Sequence, residues 1–156
     1  MWIIKLGGSW LTNPKLEEFL KYISNFQKEH LIMVVGGGVY ADAIRESQKH
    51  VAFSDKFANF LALRATETYA LVINKINPNI KLTSGLDALK SDKNIKIWLP
   101  SKHLSKSNDF KRNWNSTSDS VACWLLRKLD AKGVLFIKSL SFEKKYSLKI
   151  KTLQKK

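Results

Sequence analysis

The sequence predicts an α/β protein, a three-layer α/β/α domain around a mainly parallel central sheet. Three observations carry this. Apolar, strand-like runs alternate with amphipathic, helix-like stretches, the pattern of repeated βαβ units. The run Leu31–Val35 is apolar at every position, as suits a parallel strand covered on both faces. Two apolar runs lead directly into glycine clusters: Trp2–Leu6 into Gly7-Gly8-Ser9, and Leu31–Val35 into Gly36-Gly37-Gly38. Glycine lets the backbone come close to a ligand, and a following helix N-terminus favours negative charge. At the carboxyl ends of parallel strands, two such turns predict a site for two phosphorylated groups.

Each element follows from local signals. After the first turn, Asn13 and Pro14 read as an N-cap followed by proline at the first helical position. Leu16, Phe19, Leu20, Ile23 and Phe26 then recur at helical spacing. Beyond Gly38, the stretch from Val39 through Arg45 begins a second helix. A longer helix is expected over 54–74, supported by Phe57, Phe60, Leu61, Leu71 and Val72 and ended by Asn77-Pro78-Asn79. A short strand is expected at 80–82, a short helix at 86–89 and a strand at 95–99 that Pro100 stops. The polar, aperiodic stretch 101–115 reads as a long surface loop. Thr117, Ser118, Asp119 and Ser120 offer caps for a helix carrying Val121, Leu125 and Leu129, and Val134–Ile137 is the last strong strand.

Composition bounds the function classes. With 156 residues, 44% of them hydrophobic, the chain is expected to form one domain. No apolar run reaches membrane-spanning length, no signal peptide is evident, and the single cysteine, Cys123, excludes an internal disulfide, so a cytoplasmic location is expected. A net charge of +14 raises the question of nucleic acid. The excess is scattered lysine, apart from a basic tail over 144–156, and no aromatic-basic recognition motif accompanies it, so nucleic acid is not the expected partner. Such a field favours small anionic substrates. His30, His50 and His103 lack metal-ligand spacing, and no protein-bound metal is expected. Cys123, Trp98 and Trp114 read as packing residues.

Neither glycine cluster matches a dinucleotide fingerprint, and the chain contains no GxxxxGK[ST] loop. Lys5, on the strand just before the first turn, is the leading catalytic candidate, and a solvent-reaching strand lysine is the alternative. The succession Lys5-Leu6-Gly7-Gly8-Ser9, Val34-Val35-Gly36-Gly37-Gly38 and Thr117-Ser118-Asp119-Ser120-Val121-Ala122 resembles the amino acid kinase family. The stretches from Trp98 to Lys102 and from Trp114 to Ser120 are most similar to its branch serving methanofuran biosynthesis. The resemblance implies an ATP-dependent, Mg²⁺-requiring kinase acting on a small phosphorylated acceptor. It gives Lys5 the transferring phosphoryl group, Gly7, Gly8, Ser9 and Ser118 the nucleotide phosphates, and Gly36, Gly37 and Gly38 the acceptor. By the same resemblance Asp119 orients the catalytic lysine, while helix capping is its alternative role. Asp55 and Arg64 fall where the family recognises its acceptor; an exposed helix charge is the alternative for Arg64.

The pattern breaks after the last strand. Many family members place a Thr-Asp-x-x-Gly segment there, whereas this chain reads Lys138-Ser139-Leu140-Ser141-Phe142. Lys138 is thereby a candidate second phosphate-stabilising lysine. After Ser139 only Leu148, Ile150 and Leu153 offer apolar anchors among lysines, so the expectation is that part of the nucleotide-binding region is missing. Two readings follow: a kinase, possible as a homo-oligomer whose partner subunit completes the site, or an impaired family member that binds a phosphorylated ligand or a partner without turnover.

Overall fold

The computed structural model describes residues 1–139; the basic tail over 144–156 and the anchors Leu148, Ile150 and Leu153 lie outside the described residues. Strands β1 (Trp2–Leu6), β2 (Leu31–Val35), β3 (Lys81–Thr83), β4 (Lys96–Trp98) and β5 (Val134–Ile137) form one sheet in the order β3-β4-β2-β1-β5. Every pairing is parallel, so the sheet expected to be mainly parallel is wholly so among the described residues. Six α-helices accompany it among the described residues: α1 (Leu16–Ser24), α2 (Gly38–His50), α3 (Asp55–Ile76), α4 (Leu86–Lys90), α5 (Ser101–Leu104) and α6 (Ser118–Leu129).

Strand alternation sorts the core into two layers. Ile3, Ile32 and Val34 face one side and pack with Val121, Leu125 and Leu129 of α6. Ile4, Leu6, Met33 and Val35 face the other and pack with Leu16, Leu20 and Ile23 of α1. Helix α3 serves both. Its Leu63 joins the α6 layer, while Tyr69, Ala70 and Ile73 join the α1 layer. Full burial of a side chain such as Ile73 stabilises by about 2 kcal/mol. Ser54 caps this helix by accepting from the Phe57 N–H at 3.3 Å.

Three local expectations are corrected. Asn13 does not cap α1. Its Oδ1 accepts from the Lys15 N–H at 2.9 Å in a tight turn, so the helix begins at Leu16, with Pro14 outside it. A 3₁₀ turn, Gly8–Thr12, precedes it and was not expected. The stretch 101–115 is not simply a surface loop: α5 occupies its start, and Leu104 and Phe110 are buried in the α6-side core. The buried Glu67 carboxylate accepts the Ser101 N–H at 2.8 Å, and Asp109 accepts from Trp124 Nε1 at 2.9 Å, so polar residues tie this segment down.

The two glycine turns pack backbone against backbone. A Cβ on Gly8 would lie 2.3 Å from the Gly38 nitrogen, and one on Gly36 would lie 2.5 Å from the Gly8 nitrogen. Gly38 adopts a left-handed conformation with φ of 51°. Hydrogen bonds pin both turns to the sheet, the Gly7 N–H to the Ile137 carbonyl and the Gly36 N–H to the Leu6 carbonyl, each at 2.8 Å. Gly8→Ala or Gly36→Ala is therefore expected to lower unfolding free energy in urea titrations by about 2 kcal/mol or more. Gly85→Ala, where the nearest atom to the new Cβ is 3.6 Å away, is expected to change it by less than about 1 kcal/mol.

Candidate active site

Alternation along β1 sends Lys5 to the same face as Ile3, toward α6. Lys5 is flanked in the sheet by Val34 and Phe136, and its side chain is 8% exposed. It is therefore not a lysine reaching freely to solvent. A buried ammonium needs an opposite charge, and Asp119, in the first turn of α6, supplies it: Lys5 Nζ lies 2.8 Å from Asp119 Oδ1. Lys138, just past the end of β5, donates to Asp119 Oδ2 at 3.0 Å. One carboxylate thus holds two lysines at the carboxyl ends of β1 and β5.

Asp119 makes no side-chain cap bond. The capping position of α6 is Thr117, and its side chain makes no cap bond either. Burial works to raise the Asp119 carboxyl pKa, and the hydrogen bonds and charges of Lys5 and Lys138 outweigh it, leaving the group below its ordinary value of 3.8. Four residues along α6, Cys123 is half-buried. Burial, followed by the Asp119 charge, pushes its thiol up, which disfavours the thiolate form.

Beside this cluster lie the helix starts. The N–H groups of Gly8 and Ser9 open the 3₁₀ turn, and those of Gly38 and Val39 open α2, so none has an acceptor within its own helix. Ser9 Oγ is in close contact with Ser139 Oγ, joining the first glycine turn to the segment after β5. On the α2 side a cavity of about 220 Å³ is lined by Gly8 and Gly36–Gly38, by Asp42 and Arg45 of α2, by Asn59 and Thr66 of α3, and by Trp114, Ser116, Thr117 and Ser118. Arg45 donates to Asp42 at 2.7 Å, and its guanidinium carbon lies 4.6 Å from the centre of the Trp114 ring. Gln48 accepts from Trp114 Nε1 and donates to Asp55 Oδ1 at 3.1 Å.

The residues singled out from sequence fall into three groups. Lys5, Asp119 and Lys138 come together with Gly7, Gly8 and Ser9 at the ends of β1 and β5. Ser118 lines the same cavity as Gly36, Gly37 and Gly38. Asp55 and Arg64 do not line it: Asp55 holds Gln48, and Arg64 lies 62% exposed, donating to Glu67 at 2.6 Å. Sequence reasoning missed Arg45, Gln48 and Asn59, and it took Trp114 for packing alone. Arg45 carried a usable signal, since it follows Gly38 by seven residues, two helical turns along the same face.

Comparison with known proteins bears directly on this arrangement. A model of the amino acid kinase family matches residues 1–141. The chain belongs to the amino acid kinase family. It is 30% identical over 141 residues to a (5-(aminomethyl)furan-3-yl)methyl phosphate kinase of Methanocaldococcus jannaschii, a match covering 86% of this chain and 64% of the relative. A uridylate kinase of Archaeoglobus fulgidus is 26% identical over 99 residues, covering 62% of this chain and 45% of the relative. The crystal structure of uridylate kinase from the same organism superposes with a TM-score of 0.67 at 22% identity, covering 94% of this chain and 68% of the other. The fold is thus that of the amino acid kinase family. The chain spans less than two thirds of the length of the curated relatives it matches. No helix among the described residues is long and apolar enough to cross a membrane.

The depressed Asp119 pKa has a defined sign. Its ionisation stabilises the fold fully above the ordinary carboxylate value, and this contribution disappears as pH falls through the lower, folded-state value. Asp119→Asn is expected to flatten the acid limb of a Tm-against-pH profile and to lower Tm at neutral pH, where it strands the buried Lys5 charge. Differential scanning calorimetry across that range checks both.

Proposed function

We propose that this chain is an ATP-dependent phosphotransferase whose acceptor is a small molecule already carrying a phosphate. One observation carries the reading: two glycine turns in mutual contact at the carboxyl ends of β1 and β2, with the Lys5–Asp119–Lys138 cluster beside one and the Arg45 cavity beside the other. Gly7, Gly8 and Ser9 take the donor's phosphates, and Gly37, Gly38 and Arg45 take the acceptor's. Arg45 suits this task because a planar guanidinium binds two phosphate oxygens at once. The substrate named for the Methanocaldococcus relative is a furanmethyl phosphate, and an acceptor of that class is the finer form of the reading.

The chemistry requires little of the protein beyond placement and charge. An oxygen of the acceptor phosphate attacks the γ-phosphorus of ATP, the bond from that phosphorus to the β–γ bridging oxygen breaks, and ADP leaves with the electron pair. The attacking oxygen is already an anion, so no general base is needed. Lys5 neutralises charge on the transferring group, Asp119 holds Lys5 in position, and Lys138 adds a second positive charge. Among the described residues no three His, Cys, Asp or Glu side chains converge as a metal cage. Mg²⁺, when bound with the nucleotide, would supply further charge neutralisation.

An ADP-release assay with ATP, Mg²⁺ and a panel of phosphorylated acceptors tests the reading, uridylate and the furanmethyl phosphate among them. Lys5→Met is expected to lower kcat by about 10²-fold or more. Arg45→Ala is expected to raise the acceptor KM by about tenfold with kcat nearly unchanged. Calorimetric binding of a phosphorylated ligand with no ADP release would instead support a non-catalytic, ligand-binding role.

A further inference from the structure

The Arg45 side chain is 54% exposed, so burial does not hold its guanidinium in place. Its partner Asp42 is also exposed and lies on the same helix, where an ion pair restrains little. A contact from outside α2 adds the missing restraint: the Trp114 ring, whose centre is 4.6 Å from the guanidinium carbon. Trp114 is itself fixed through both backbone and side chain. Its backbone lies in a turn where the Asn113 carbonyl accepts from the Ser116 N–H at 3.1 Å, and Asn59 Nδ2 of α3 donates to the same carbonyl at 3.1 Å. Its indole Nε1 donates to Gln48 Oε1. The Gln48 amide has one workable orientation. Its Nε2 donates to the Phe53 carbonyl at 2.9 Å and to Asp55 Oδ1 at 3.1 Å, while an indole N–H can only donate and so requires the oxygen. A continuous series of contacts thus runs from Asp55 through Gln48 and Trp114 to Arg45.

We infer that Trp114 is a positioning residue for phosphate recognition: its ring, oriented by Gln48, holds the Arg45 guanidinium ready for the acceptor's phosphate. The inference rests on the acceptor-site reading above and deepens it by naming what aims the arginine. A guanidinium carries five N–H donors, so the bond to Asp42 leaves others for phosphate oxygens. A long arginine side chain loses rotamer freedom when it binds an anion, and a ring that already restricts it removes part of that cost. Asp55 then serves acceptor recognition at a distance, by fixing Gln48 rather than by meeting the ligand.

The test is a double-mutant cycle read by calorimetric titration of the full chain with phenyl phosphate, a phosphate on a compact body. Arg45→Ala is expected to weaken binding about tenfold and Trp114→Ala about fivefold. Added to Arg45→Ala, the Trp114→Ala change is expected to cost less than a further twofold or about that, because no guanidinium remains for the ring to hold. Trp114→Phe keeps a ring face and is expected to bind within about threefold of the unaltered chain. Gln48→Met is expected to weaken binding about threefold, and only while Arg45 is present. Thermal transitions show which variants fold, and the Gln48→Met and Arg45→Ala cycle decides the matter if Trp114→Ala does not. Additive losses from Trp114 and Arg45, as when the ring meets the ligand itself or merely shapes the cavity, overturn the inference and leave the phosphate site standing. Unchanged binding by Trp114→Ala does the same. No binding by the unaltered chain, or equal binding by Arg45→Ala, overturns the acceptor-site reading and this inference with it.

Discussion

The contact between Gly8 and the Gly36–Gly38 turn is the constraint on which the rest of the site depends. Neighbouring strands run about 4.8 Å apart, so chain segments leaving the same ends of β1 and β2 must pass each other at backbone distance. Only residues without a Cβ do so here, since an added methyl would sit 2.3 to 2.7 Å from backbone atoms of the opposite turn. The consequence reaches function. With the turns in contact, the two helix starts they feed, the 3₁₀ turn at Gly8 and α2 at Gly38, lie side by side. Under the proposed function, the geometry of a parallel sheet would thereby bring two bound phosphates together.

Charge placement follows from the same sheet. Period-two alternation puts Lys5 on the α6 face, and the connection after β4 returns α6 so that Asp119 meets it. The price of burying an ammonium is offset by this carboxylate, which Lys138 then shares from the neighbouring strand end. A net positive cluster results, two cations on one anion, beside backbone N–H groups that open a helix. Arg45 plays the corresponding part on the other side of the glycine contact, held by Asp42 and backed by the Trp114 ring.

Local signals made the fold readable. All five strands and the long helix α3 were expected close to their observed bounds, because apolar runs and helical spacing are strong over those lengths. Lys5, Asp119 and the glycines were also visible, since each sits in a short contiguous motif. What escaped depended on tertiary contact. Leu104 and Phe110 are isolated apolar residues in a polar stretch, and only packing against α6 shows them to be core. Arg64 looked like an acceptor ligand from its place on α3, but Glu67 one turn later takes it. Asn59 sits among Phe57, Ala58 and Phe60, and nothing in that string tells of a buried oxygen without a partner.

The central claim is that both turns form one anion-binding surface. Amide chemical-shift mapping by NMR during titration with inorganic pyrophosphate tests it most directly. The account predicts that the amides of Gly8, Ser9, Gly37 and Gly38 shift together and saturate with a single Kd. Shifts confined to the lysines of α5 and α6, with the glycine amides unmoved, would contradict it.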